Sequence, residues 1–149
     1  MVEKARDSRS VRSTGSLCRG RVAAVTNSLF RLGSFRGAAG EVLPWKVECD
    51  SLWQADWEAL AEIAVSLLPD FGTVEGVPTG GFPFADALRE HVTAGPLLIA
   101  DDVLTTGGSM VEHRDGRDAI GVVAFARGVV PDWITPVWRL GGSPVPRSQ

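Results

Sequence analysis

The chain has 149 residues, of which 44% are hydrophobic and 22% are charged, a composition typical of one globular domain. It contains no apolar run near the ~20 residues that a membrane span needs, and its N-terminus lacks the hydrophobic stretch of a secretory signal, so we expect a cytoplasmic protein. The net charge of -3 argues against nonspecific nucleic-acid binding, and it requires any anionic ligand to be held by local donors or a metal. Cys18 and Cys49 lack metal-ligand spacing and are expected to be reduced thiols, with a disulfide as the alternative.

The two ends of the chain differ in character from the part between them. Residues 1–20 are rich in Arg and Ser and nearly free of large apolar side chains, which predicts a disordered basic arm. Residues 141–149 form a predicted flexible tail, and residues 21–140 form the predicted domain. At its start, short segments at residues 28–32 and 45–49 flank the glycine-rich stretch 33–40, a pattern typical of a small hairpin or flap.

Beyond this flap, the pattern alternates between helices and strands. Ser51 and Gln54 match a capping box for an amphipathic helix that ends before Pro69, with Trp53 and Trp57 expected in core or flap packing. The segments that follow are a strand at 74–77, a helix at 82–92, a strand at 97–100, a helix at 109–114 and a strand at 120–126. Several prolines predict an irregular end beyond Gly128. Such alternation implies an α/β fold with a parallel sheet and right-handed crossovers.

Two adjacent acids, Asp101 and Asp102, follow the apolar strand predicted at 97–100. In a parallel sheet, ligands bind at the carboxyl ends of the strands, which is where this pair falls. Neighbouring carboxylates repel each other and lose solvation unless something binds them. The vicinal hydroxyls of a ribose or a hydrated Mg²⁺ would suit them, and capping of the next turn is the structural alternative.

Two glycine-rich loops are expected at the same edge of the sheet. Loop A (residues 76–81) contains Pro78, Thr79, Gly80 and Gly81, and loop B (residues 105–109) consists of Thr105, Thr106, Gly107, Gly108 and Ser109. Each precedes a predicted helix, so that backbone amides and the start of the helix form a cradle for a phosphate group. Neither loop carries Lys or Arg, and loop B lacks the GK[ST] ending of a Walker loop. A simple turn that opens a helix is the alternative reading of loop A.

The run of residues 97–109 (LLIADDVLTTGGS) resembles the signature of the type I phosphoribosyltransferases. The resemblance implies that Asp101 and Asp102 hold the ribose hydroxyls of 5-phosphoribosyl 1-pyrophosphate with Mg²⁺, directly or through water. It further implies that loop B wraps the 5-phosphate and that loop A is the pyrophosphate loop. Residues 43–50, 125–128 and 131–136 are similar to a compact orotate phosphoribosyltransferase-like subgroup found in phage and bacterial genomes, which suggests a phage-infected host as one setting.

The sequence also departs from that family. Full-length orotate enzymes insert a strand and a long basic loop before the signature strand, whereas only residues 93–95 separate the predicted helix from Pro96 here. The resemblance therefore implies a truncated core with a small N-terminal hood and no basic lid. The side chains considered as stand-ins for the lid are Arg31, Arg36, Lys46, Arg89 and Arg127. Those considered for contact with a base are Lys46, Arg127 and Trp133.

Three functions follow from these residues. The first is an Mg²⁺-dependent phosphoribosyltransferase that acts on a nitrogen base, with a pyrimidine such as orotate expected. The second is a module that binds phosphoribosyl pyrophosphate or a nucleotide without turnover, which the missing lid favours. The third is a protein- or nucleic-acid-binding adaptor that uses the basic arm and Trp45, Trp133 and Trp138. Family analogy suggests a homodimer, and His91 and His113 are expected at the surface.

Overall fold

A computed structural model describes residues 28–37 and 40–141. The predicted arm (residues 1–20) and residues 142–149 of the predicted tail lie outside the described residues. The N-terminal hood is an antiparallel hairpin of β1 (Phe30–Arg36) and β2 (Val42–Val47), as the flap pattern predicted. Its strands are longer than expected, because β1 continues through Gly33 to Arg36, so the first half of the glycine-rich stretch belongs to a strand.

The elements that follow the hood form a four-stranded sheet with three helices. In chain order they are α1 (Gln54–Leu67), β3 (Thr73–Gly76), α2 (Phe82–Arg89), β4 (Leu97–Leu104), α3 (Gly108–Arg114), β5 (Ala119–Ala126) and β6 (Ile134–Arg139). The strands lie in the order β3-β4-β5-β6, and every neighbouring pair is parallel. The predicted α/β architecture with a parallel sheet is confirmed.

Helix α1 is capped differently from the prediction. The Ser51 hydroxyl donates to the Glu48 carbonyl oxygen at 2.7 Å and takes no part in the helix start. The helix begins at Gln54, and the Trp53 backbone N–H donates to Asp56 Oδ2 at 2.8 Å. The capping box assigned to Ser51 and Gln54 is therefore wrong by two residues. Although α1 has 14 residues, no helix of the described chain is long and apolar enough to cross a membrane.

The sheet is covered on both faces. Helices α1 and α2 pack on one face, where the Trp57 and Phe84 rings lie 5.8 Å apart, while α3 packs on the other face through Met110. Trp53, by contrast, is exposed, so the expected packing holds for Trp57 only. The crossover from β3 to β4 runs through α2, and the crossover from β4 to β5 runs through α3. Both move one strand along the sheet in the same direction, but the two helices lie on opposite faces, so the two crossovers have opposite hands. The prediction of right-handed crossovers thus holds for one of them.

Two strands differ from their predicted extent. Strand β4 continues through Asp101 and Asp102 to Leu104, because its pairing with β5 continues as far as Leu104 opposite Ala126. Strand β6 lies in the segment expected to be irregular, and Pro136 stands opposite Val123 within it. An edge strand tolerates proline because one of its sides needs no ladder hydrogen bonds. The prolines therefore marked an edge strand and not a loss of structure.

Candidate functional site

The acid pair lies near the carboxyl end of the central strand β4. Asp101 is 7% exposed and is the one buried charged residue of the described chain, whereas Asp102 is partly buried. The Asp102 backbone N–H donates to Asp101 Oδ1 at 2.9 Å, and the Val103 N–H donates to Asp102 Oδ1 at 2.7 Å. These bonds fix one oxygen of each carboxylate. With one oxygen of each carboxylate engaged, the other oxygens are suited to accept hydrogen bonds from a polyol or to bind a cation.

The environment of Asp101 disfavours its charged form. Burial, followed by the charge of Asp102, raises the pKa of the Asp101 carboxyl from 3.8 to about 7. The backbone N–H of Asp102 offsets part of this rise by stabilising the carboxylate. Ligand hydroxyls or a cation would stabilise the ionised pair in the same way. A perturbed carboxyl at a sheet edge is typical of functional sites.

Loop B connects β4 to α3 directly beside the acid pair. Gly107 has a φ of 82° and lies immediately before the helix, in a conformation that favours glycine. The start of the loop is anchored to the residue that follows strand β5, since the Arg127 backbone N–H donates to the Leu104 carbonyl at 2.7 Å. Asp101 and the whole of loop B line one cavity of about 30 Å³. This volume holds a water molecule or a small polar group.

Loop A connects β3 to α2 and touches the acid pair from the other side. Its start is tied to the central strand, because the Val77 N–H donates to the Ala100 carbonyl at 2.9 Å. A Cβ atom on Gly80 would lie 2.6 Å from Asp102 Oδ2, so the backbone of loop A rests against that carboxylate. The Pro78–Thr79 peptide bond is cis. The structure therefore brings the acid pair and both loops to one edge, as the sequence predicted.

A second cavity lies where the short 3-10 turn after β2 (Cys49–Ser51) approaches this edge. It has a volume of about 320 Å³ and is lined by Cys49 and Asp50 of this turn, by α1, and by Thr79 and Gly80 of loop A. Burial, and then the charges of Asp102, Asp50 and Asp101, raise the pKa of the Cys49 thiol to about 12. Cys49 is thus an inert buried thiol close to the acids. No sequence pattern indicated that Cys49 lies close to Asp101 and Asp102, because these residues are far apart in the sequence.

The three side chains considered for contact with a base lie in different places. Arg127 follows β5 at the ligand edge, where its guanidinium lies 4.0 Å from the Trp45 ring centroid and donates to the Trp45 carbonyl at 3.3 Å. Lys46 forms an ion pair with Glu48 within the hood. Trp133 packs against Gly121, near the amino end of β5 and away from the loops. Of the three, only Arg127 joins the hood to the ligand edge.

The two histidines also have defined partners. His113 was expected to face solvent, but it is partly buried, and its Nε2 lies 3.1 Å from Glu75 Oε2 on β3. His91 lies just beyond α2, and its Nε2 is 3.8 Å from Glu62 Oε1. The contact of His113 joins α3 to the edge strand of the sheet. No local sequence pattern indicated this contact, because Glu75 and His113 are 38 residues apart.

The donor set of the acid pair fits a hydrated magnesium ion. The described residues contain no group of three or more His, Cys, Asp or Glu side chains placed to hold a metal by themselves. Mg²⁺ is commonly held by one or two carboxylates together with water and phosphate oxygens. Asp101 and Asp102 can supply the carboxylates, so water and the phosphate oxygens of a bound substrate would complete the coordination of the metal.

Comparison with known proteins establishes the fold. No protein-family model matches the chain, and no curated protein matches it. The structure is similar to Leishmania donovani UMP synthase, with a TM-score of 0.60, 18% identity, and coverage of 75% of this chain and 34% of that one. The fold is that of the type I phosphoribosyltransferases. It is also similar to orotate phosphoribosyltransferase from Aeropyrum pernix, with a TM-score of 0.58, 20% identity, and coverage of 68% and 78%.

The match to the phosphoribosyltransferase fold is partial in length. The chain spans about a third of the UMP synthase chain and about four-fifths of the Aeropyrum enzyme. Within the described residues, positions 90–96 join α2 to β4 without any further strand, so β3 is the edge of the sheet. The predicted compact phosphoribosyltransferase core is therefore confirmed as a fold.

Proposed function

We propose that the chain binds 5-phosphoribosyl 1-pyrophosphate with Mg²⁺ and transfers phosphoribose to or from a nitrogen base, with a pyrimidine such as orotate as the expected class. One observation carries the proposal: the buried Asp101 and its neighbour Asp102 lie between two glycine-rich loops at the carboxyl edge of the sheet. This placement offers carboxylates to the ribose hydroxyls and backbone amides to the phosphates.

In the proposed reaction, the bond from ribose C1 to pyrophosphate breaks as a ring nitrogen of the base attacks C1. Asp101 and Asp102 accept hydrogen bonds from the ribose hydroxyls and orient C1, while loop B holds the 5-phosphate. Loop A receives the departing pyrophosphate, and the hood with Arg127 and Trp45 limits access of water to the reacting carbon. Bound Mg²⁺ would offset the negative charge that develops on the pyrophosphate.

The test is release of pyrophosphate from phosphoribosyl pyrophosphate in the presence of Mg²⁺ and a panel of pyrimidine and purine bases. We expect release with at least one base and its loss in the double variant Asp101→Asn/Asp102→Asn. The matched control is Glu58→Gln/Glu62→Gln, which removes two charges from the exposed face of α1. If the wild-type protein releases no pyrophosphate with any base of the panel, the proposed turnover is contradicted.

A second candidate function is binding of phosphoribosyl pyrophosphate or a nucleotide without turnover. The direct connection of α2 to β4 through residues 90–96 favours it, because no lid segment follows loop A in the described chain. Calorimetry separates the two candidates. Saturable binding of phosphoribosyl pyrophosphate without product supports the binding module, and absence of binding contradicts both.

The setting of the proposed function is the cytoplasm, where phosphoribosyl pyrophosphate is used for nucleotide metabolism, and the proposed assembly is a homodimer. Sedimentation of the full chain should give twice the mass of 15.9 kDa. A monomer that retains ligand binding would remove the dimer from the proposal and leave the site unchanged.

A further inference from the structure

A third cavity, of about 520 Å³, opens on the α3 side of the ligand edge. Its wall includes Pro78 of loop A and Ser109 of loop B, so it touches both loops that are proposed to bind phosphate. The remaining polar wall comes from the second half of α3 and the turn after it: Glu112, His113, Asp115 and Arg117. The cavity therefore borders the proposed site, and its remaining wall carries ionisable side chains.

The two basic residues of this wall are fixed by one carboxylate. Arg117 donates through both terminal nitrogens to the Glu75 carboxylate, at 2.9 Å each, and through one of them to the His113 carbonyl at 2.8 Å. His113 Nε2 contacts the same carboxylate at 3.1 Å. These contacts lower the pKa of Glu75, first through its hydrogen bond with Arg117. Glu75 thus stays ionised and holds a guanidinium and an imidazole in place at the cavity.

The other cations that were considered for this role lie elsewhere. Arg31 and Lys46 both pair with Glu48 in the hood, and Arg89 pairs with Asp86 on α2. Arg36 is exposed at the end of β1, and Arg127 stacks on Trp45 of the hood. Loop A itself carries no basic residue. Arg117 and His113, by contrast, share a cavity with Pro78 of loop A.

We propose that Arg117 and His113 form the basic wall of a subsite for the pyrophosphate group, with Glu75 as the residue that positions them. This inference rests on the proposed function. Glu112 and Asp115 line the same cavity, so the wall combines cations with carboxylates. Such a mixed lining matches pyrophosphate that carries Mg²⁺ better than the bare anion, because the carboxylates contact the hydrated cation. A cation supplied from α3 would take over part of the role of the absent basic lid.

The test uses two probes that divide the proposed ligand. Pyrophosphate with Mg²⁺ reports on the new subsite, whereas ribose 5-phosphate reports on the acid pair and loop B. Both are titrated calorimetrically into the full-length wild type, Arg117→Gln and the matched control Arg139→Gln. Arg139 is a suitable control because it is exposed and lies on β6, at the opposite edge of the sheet from Glu75 on β3.

We expect Arg117→Gln to weaken binding of magnesium pyrophosphate by about tenfold. The affinity for ribose 5-phosphate should stay within about twofold of the wild-type value. Glu75→Gln should give the same split with a smaller loss, since it releases the guanidinium without removing it. If Arg117→Gln lowers the melting temperature strongly, His113→Asn provides the same comparison with a milder change. Arg139→Gln should bind both probes as the wild type does.

Three results overturn this inference. They are an equal effect of Arg117→Gln on the two probes, an effect of Arg139→Gln as large as that of Arg117→Gln, and a wild type that binds ribose 5-phosphate but not magnesium pyrophosphate. In the third case the proposed sugar-phosphate site still stands. If the wild type does not bind ribose 5-phosphate, the proposed function itself fails, so the two failures are distinguishable.

Discussion

The two glycine-rich loops occupy equivalent places after neighbouring parallel strands, yet their glycines are packed very differently. In loop A, a Cβ on Gly81 would lie 2.4 Å from the Ala100 carbonyl oxygen, and one on Gly80 would lie 2.6 Å from Asp102 Oδ2. In loop B, a Cβ on Gly108 would meet nothing closer than Thr106 Oγ1 at 3.6 Å. Loop A is therefore pressed against β4, while loop B is open to whatever binds there.

This difference separates two uses of glycine. The glycines of loop A allow two backbone segments and a carboxylate to pack closely, so they are needed even without a ligand. Gly108 of loop B faces open space, so its lack of a side chain matters once a ligand approaches the backbone. The acid pair lies between the loops and is held by both strand geometry and loop A. Four substitutions test this division, in order of decreasing expected effect.

Gly81→Ala should have the largest effect on stability. The added methyl group would meet the Ala100 carbonyl oxygen and also the Val77 nitrogen at 2.7 Å, and these backbone atoms cannot move without shifting β3 or β4. We expect a loss of about 3 kcal/mol in the free energy of unfolding, measured with urea. A loss below about 1 kcal/mol would mean that loop A is not packed against β4 as described.

Asp101→Asn should change the dependence of stability on pH. Because the folded pKa of Asp101 is raised from 3.8 to about 7, the ligand-free protein is most stable when this carboxyl is protonated. Its contribution is fully present below the lower value and is lost progressively as the pH rises from there through the upper value. We expect the variant to be more stable than the wild type at neutral pH, with a flatter profile in urea unfolding. Identical profiles for the two proteins would contradict the buried acid.

Gly80→Ala should affect ligand binding more than stability. The atoms that its methyl group would meet belong to the Asp102 carboxylate, which can rotate away. We expect a stability loss of about 1 kcal/mol and binding of ribose 5-phosphate weaker by about tenfold, because the displaced carboxylate no longer meets the ribose. Calorimetry and urea unfolding of the same preparation measure both. Unchanged binding would show that Asp102 does not contact the sugar.

Gly108→Ala should have the smallest effect on the fold and is the matched control in loop B. With ordinary packing around the new methyl group, the free energy of unfolding should change by less than about 0.5 kcal/mol. Binding of ribose 5-phosphate should weaken, since the methyl group would stand where the phosphate approaches the backbone. A large loss of stability would show that Gly108 is packed as tightly as the glycines of loop A.

The sequence predicted the parts of the site that follow one another along the chain. The apolar run before Asp101, the glycines of loop B and the helix after them were assigned correctly because their spacing alone indicates them. The burial of Asp101 and the extension of β4 past it were not predictable, because they depend on pairing with β5. Strand β6 was missed because proline on an edge strand resembles proline in a loop.

Contacts between distant segments account for the remaining differences. Arg117 and His113 meet Glu75 across 42 and 38 residues, and no local pattern links them. The opposite hands of the two crossovers likewise depend on which face each helix covers, which periodicity does not determine. The charged side chains that come together around a site are therefore harder to predict from sequence than the loops that form its backbone.

The most direct test of the site is a crystal structure of the protein soaked with phosphoribosyl pyrophosphate and Mg²⁺. We expect the 5-phosphate in loop B, within hydrogen-bond distance of the amides of Gly107 and Gly108, and the ribose hydroxyls on Asp101 and Asp102. A ligand bound on another surface, with both carboxylates and both loops unchanged, would contradict it.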